Sequence, residues 1–226
     1  MSVLALLGAA IASALALQSG HLAWKLAVPA GGIVALLASS FRVPAAVRAV
    51  APVVIAFGFA ALGDALLSLR AGRASWFVAG IAAYFVSHLG YLAYALPRGR
   101  LQRLTLTLTL AAFLTYAALA LAHRVRDPWL LGAVVVYGFI SCVSLAAAVG
   151  LRQPPMSRAL FLGGIGLLFL SDTLISFNEF LDYPAWNFWI LPTYYLALLA
   201  VAGSVLTRRS TDDPRLAGRQ GVPEGA

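Results

Sequence analysis

Long apolar runs alternate with short polar breaks along the whole chain. The runs read as eight membrane spans. The first four are Ser2–Leu17, Trp24–Ser39, Ala49–Leu69 and Ser75–Leu96. The second four are Leu104–Ala122, Pro128–Gly150, Ala159–Asn178 and Trp186–Leu206. A helix needs about 20 mainly apolar residues to cross roughly 30 Å of hydrocarbon. Helices are expected because lipid cannot satisfy an open backbone. Barrel strands alternate apolar and polar positions, and these runs do not. The pattern therefore predicts an all-α, polytopic membrane bundle of about eight transmembrane helices over residues 1–207. Residues 208–226, polar and with Pro and Gly, are expected to form a disordered cytoplasmic tail.

Composition agrees. Hydrophobic residues make up 62% of 226 and charged residues 11%, against roughly a quarter charged in soluble domains. Mean hydropathy is +0.89. The net charge of +8 does not point to nucleic acid, because the basic residues sit singly or in pairs between apolar runs. Arg42, Arg48, Arg98, Arg100, Arg103, Arg152, Arg158 and four tail arginines fall on one side. Lys25, Arg70, Arg73, Arg124 and Arg126 fall on the other. The richer side is expected to be cytoplasmic, with both termini there. Trp76, Trp129, Trp186 and Trp189 fall near the outer span ends, as an interfacial belt does. Ala and Gly fill spans 2, 3, 4 and 6 and favour close helix packing. The N-terminal run lacks a basic n-region and reads as a span rather than a removable signal. Ala and Arg richness suggests a bacterial plasma membrane. The lone cysteine, Cys142, allows no intrachain disulfide and no cysteine-based zinc site.

Three ionisable residues interrupt the spans: Asp64, His88 and Asp172. A carboxyl at a span centre costs roughly 2.5–3.5 kcal/mol and is kept mainly where it faces a polar cavity or a partner. Asp64 lies about 8 Å below the outer end of span 3, and Asp172 about 9 Å below that of span 7. Tyr84, His88 and Tyr91 share one stripe of span 4, as do Asp172, Ser176 and Glu179 on span 7. Tyr194 and Tyr195 enter span 8 from the outer side, and Lys25 begins span 2 there. The polar groups thus gather in the outer half. Each also has a plainer reading: Lys25 as an interface anchor, Asn178 as a helix cap, the tyrosines as packing, Glu179 and Asp182 as solvated loop charges.

Two neighbouring carboxyls in a desolvated site do not both ionise easily, which divides them into a proton donor and a carboxylate. No G-x-S-x-G, HExxH or phosphate-cradling glycine loop is present. No metal and no cofactor is expected.

At these residues the chain resembles the YhhN family, the membrane proteins that include lysoplasmalogenase. The matching stretches are GDALLSL (63–69) and WFVAGIAAYFVSHLGYLAY (76–94), then GGIGLLFLSDTLISFNEF (163–180) and LPTYYLALL (191–199). They occur in family order across spans 3, 4, 7 and 8. Two departures are Leu26, where the family usually follows the lysine with proline, and Leu198, where it often has glutamine. The resemblance implies hydrolysis of the vinyl-ether bond of lysoplasmalogen-like lysophospholipids to a fatty aldehyde and a glycerophospho-alcohol. Asp64 and Asp172 would share the acid/base roles, with His88, Tyr84 and Tyr194 orienting them or water, and Lys25 holding the lipid phosphate. The candidate catalytic set is Asp64, Asp172 and His88. The candidate substrate-contacting set is Lys25, Tyr84, Tyr91, Asn178, Tyr194 and Tyr195. The expected partners are a lysophospholipid substrate and the bilayer. A proton-coupled transporter using the same carboxylates is the alternative.

Overall fold

The computed structural model describes residues 2–19, 21–41 and 43–212. Among these described residues eight long helices follow one another: α1 Ser2–Ser19, α2 Leu22–Ser40, α3 Pro44–Ser68, α4 Ala74–Ala95, α5 Arg103–Arg124, α6 Pro128–Val149, α7 Pro155–Leu181 and α8 Ile190–Asp212. Seven are long and apolar enough to cross a membrane, and the apolar helix Leu4–Ser19 is shorter. The chain is thus an all-α polytopic bundle.

Several boundaries differ from the sequence reading, each for a local reason. The last helix does not begin at Trp186: Pro184–Trp189 forms a 3₁₀ turn before α8. Pro192 then lies in the first turn of α8, where a missing N–H costs nothing. The same helix continues to Asp212, past the expected start of the tail. The rest of the tail, 213–226, lies outside the described residues. α5 is α-helical over Arg103–Tyr116, passes through a π turn at Ala117–Leu121 and ends at Arg124. α7 runs on to Leu181 and stops at Asp182, which adopts a left-handed φ of 51°.

The principal packing pairs are α3 with α4, α7 with α8, α1 with α2 and α2 with α3. α6 joins α4 to α7, so α3, α4, α6, α7 and α8 form a ring, with α2 wedged between α3 and α8. α5 and α1 lie outside it. Small residues permit the closest contacts. A Cβ on Gly90 of α4 would stand 2.6 Å from the Pro52 carbonyl oxygen of α3. Backbones approach this closely where dispersion, not hydrophobic exclusion, holds helices together. The core of the ring includes Phe57, Tyr94, Phe161, Ile165 and Leu198, all essentially without solvent exposure.

Each end of the bundle carries an arginine-lined cleft. Arg70, Arg73, Arg124 and Arg126 line a cleft at one end, while Arg100, Arg103, Arg152 and Arg158 line one at the other. The second end also holds buried polar groups, so they are not confined to the outer half where the sequence reading gathers them. Gln153 donates to the Tyr94 hydroxyl (3.1 Å), Ser157 donates to Gln153 (2.7 Å), and Ser204 donates to the Ser157 carbonyl (2.6 Å). These groups satisfy one another and tie α4, α7 and α8 together.

Candidate functional site

A cavity of about 350 Å³ opens into the ring at the Lys25 end. Asp64 of α3 and Asp172 of α7 both line it. So do His88, Tyr84 and Tyr91 of α4, Tyr194 of α8, Lys25 of α2 and Asn178 of α7. Eight of the nine sequence candidates therefore meet at one place. The ninth, Tyr195, does not line the cavity; it is 2% exposed and packs in the core with its ring 5.5 Å from that of Tyr194. The intervals 84, 88 and 91 explain the α4 contribution, since residues three and four apart share a helix face.

Asp64 is held from two sides. The Tyr84 hydroxyl donates to Oδ1 at 2.6 Å and the Tyr194 hydroxyl to Oδ2 at 3.0 Å. The two rings meet edge to face, with centroids 6.2 Å apart. Gly63 makes room for this clamp: a Cβ there would be 2.8 Å from the Tyr84 ring. Two donors leave Asp64 as a fixed acceptor buried in the wall.

Asp172 is held differently. Its Oδ2 lies 3.5 Å from Nε2 of His88, longer than a well-formed N–H···O bond. Among the described residues no hydrogen bond of ordinary geometry reaches that buried oxygen. His88 is 3% exposed and pinned by α6: Nδ1 is 3.0 Å from the Ser144 hydroxyl, and Nε2 is 3.2 Å from the Tyr137 hydroxyl and 3.4 Å from that of Ser141. The Tyr137 ring stands edge-on to the imidazole, 5.4 Å between centroids.

The mouth is crossed by a charge pair. Arg70, in the α3–α4 turn, donates to both oxygens of Glu179 at 2.8 and 2.9 Å. These hydrogen bonds raise the Arg70 guanidinium above its ordinary value. Glu179 is thus not a solvated loop charge, whereas Asp182 is exposed. Arg70 and Glu179 line both the cavity and the outer arginine-lined cleft, so the pair separates the two. Among the described residues no three His, Cys, Asp or Glu side chains come together at metal-ligand spacing.

The site residues absent from the sequence reading are mainly Tyr137, Ser141 and Ser144. They stand at i, i+4 and i+7 of α6, one polar stripe in an otherwise apolar helix. That periodicity was the available signal. Arg70 and Glu179 are 109 positions apart, and no spacing rule joins them.

Compared with known proteins, the YhhN family matches residues 21–205. The chain belongs to the YhhN family. The match runs from the α1–α2 turn through most of α8 and so covers every helix that lines the cavity in this YhhN protein. No curated protein and no solved structure matches it significantly.

Proposed function

We propose that this YhhN protein is a lipid hydrolase that cleaves the vinyl-ether bond of lysoplasmalogen-like lysophospholipids, releasing a fatty aldehyde and a glycerophospho-alcohol. One observation carries the reading: two aspartates from different helices line one cavity within the span region, one locked by two tyrosine donors and the other facing His88 at 3.5 Å with a buried oxygen that no hydrogen bond of ordinary geometry reaches among the described residues.

The chemistry needs this asymmetry. Protonation of the β-carbon of the vinyl ether produces an oxocarbenium ion at the α-carbon. Asp172, the less tethered carboxyl, is the proton donor. Asp64, oriented by Tyr84 and Tyr194, is the anion that stabilises the cation. Water adds to the α-carbon and gives its proton to the Asp172 carboxylate, regenerating the acid. The hemiacetal then collapses to aldehyde and alcohol. His88 orients Asp172 and is itself set by Ser144 and Tyr137. In this reading Lys25 at the mouth holds the lipid phosphate and Asn178 its polar backbone, while Arg70 is engaged by Glu179. The orientation follows from the arginine distribution: both termini cytoplasmic, the cavity opening on the other face.

A proton-coupled carrier is less well supported. The polar groups at the opposite end are buried and engaged with each other, rather than continuing the cavity.

The test is aldehyde release from a lysoplasmalogen by the purified protein. The wild type is expected to release aldehyde, and Asp64→Asn and Asp172→Asn to lose about 10²–10⁴-fold in rate, the usual contribution of acid/base groups. Undiminished release by both variants contradicts the assignment.

A further inference from the structure

A second cavity, of about 310 Å³, lies between α5, α6 and α7. Its wall is mostly apolar: Ala112, Phe113, Val134, Gly138, Phe169 and Phe177 contribute. Two residues, Tyr137 and Asp172, line both this cavity and the polar one. Asp172 thus stands where a polar chamber meets an apolar one.

The outer wall of the second cavity is α5, and α5 is loosely seated. No residue of Arg103–Tyr116 is buried, and the helix packs mainly on α6. It approaches α7 chiefly at its π turn, and the Tyr116 hydroxyl lies 2.8 Å from that of Ser176 there. The cavity volume falls at the lower end of the ~300–1,000 Å³ usual for small-molecule sites.

We infer that the cavity between α5 and α7 binds the single hydrocarbon chain of the substrate, entering from the bilayer, while the polar cavity takes the head group. This rests on the reading under Proposed function for the identity of the chain. The geometry fits the chemistry of such a lipid. Its reacting double bond is the first bond of the chain, beside the polar glycerol oxygen. It must therefore sit at a polar–apolar boundary, and the boundary here is Asp172. A diacyl lipid carries a second chain, whereas among the described residues the apolar chamber bordered by Asp172 offers room for one. Selection for a lysolipid follows from the shape of the site.

The experiment uses purified full-length protein in phosphatidylcholine vesicles. The probe is a saturated 1-O-alkyl lysophosphoethanolamine with a diazirine near the chain end, which carries no vinyl ether and is not consumed. Photolabel is expected on α5–α7 peptides containing Thr109–Tyr116 or Phe169–Phe177, and it is displaced by unlabelled lysolipid. Ala112→Trp, which fills the cavity from its outer wall, is expected to lower the ratio of long-chain to short-chain lysolipid affinity about tenfold, the worth of roughly two buried methylenes. Label elsewhere, equal labelling by a diacyl probe, or an unchanged chain-length ratio overturns the inference. Aldehyde release with an unchanged ratio sinks the chain site and leaves the chemistry standing. Expected labelling without aldehyde release supports the chain site and removes the hydrolase reading.

Discussion

Asp64 and Asp172 are chemically alike, and their neighbours make them different. Asp64 accepts two tyrosine hydroxyls; Asp172 faces a histidine at 3.5 Å. Removing one donor from Asp64 leaves the carboxylate in place but less firmly oriented. Tyr194→Phe is therefore expected to lower kcat/KM about tenfold, well short of the loss for Asp64→Asn, because a 1 Å misplacement costs up to ~10²-fold and one tyrosine remains. Steady-state kinetics on the purified variants read this directly, and equal losses for the two variants count against a positioning role. Both aspartates were legible in the sequence because burying a carboxyl among apolar residues is costly, so its position marks a polar cavity or a partner. Tyr137 was missed, because its signal lay in the stripe it shares with Ser141 and Ser144, and a tyrosine taken singly in a span is usually packing. Its role shows only when α6 is set against α4.

Helices decide which of these side chains can meet. α4 brings three site residues on one face, and its close approach to α3 sets the Tyr84–Asp64 clamp. Gly63→Val places atoms where the Tyr84 ring now lies. It is expected to cut activity more than it lowers thermal stability, measured by comparing kcat with the melting temperature. Gly90→Leu drives a side chain against the Pro52 carbonyl and is expected to destabilise the bundle itself, with a lower melting temperature and poor recovery from membranes. Overpacking of this kind typically costs about 1–3 kcal/mol. Element positions were readable from the apolar runs to within a few residues. The entry to α8 was not, because Trp186, Phe188 and Trp189 are as apolar in a 3₁₀ turn as in a helix.

At the scale of the whole molecule, the arginines mark two different ends. Arg70, Arg73, Arg124 and Arg126 line the cleft beside the cavity mouth, the sequence places more arginines at the far end, and the orientation proposed from this turns the mouth away from the cytoplasm. In a Cys142→Ala background, Ala71→Cys in the exposed α3–α4 turn is expected to react with an impermeant maleimide applied to intact cells. Arg100→Cys, at the opposite end, is expected to react only after permeabilisation. The reversed pattern contradicts the orientation. Ring closure around a cavity was beyond the sequence, since it depends on α6 joining α4 to α7 across the bundle.

The central claim is that a proton passes from a carboxyl in this cavity to the β-carbon of a vinyl ether. Running the reaction in D₂O and weighing the aldehyde at early times tests it. One deuterium at C2 of the aldehyde is predicted for the wild type, with almost no labelled product from Asp172→Asn. Aldehyde released without deuterium at C2, or released equally by Asp172→Asn, contradicts the claim.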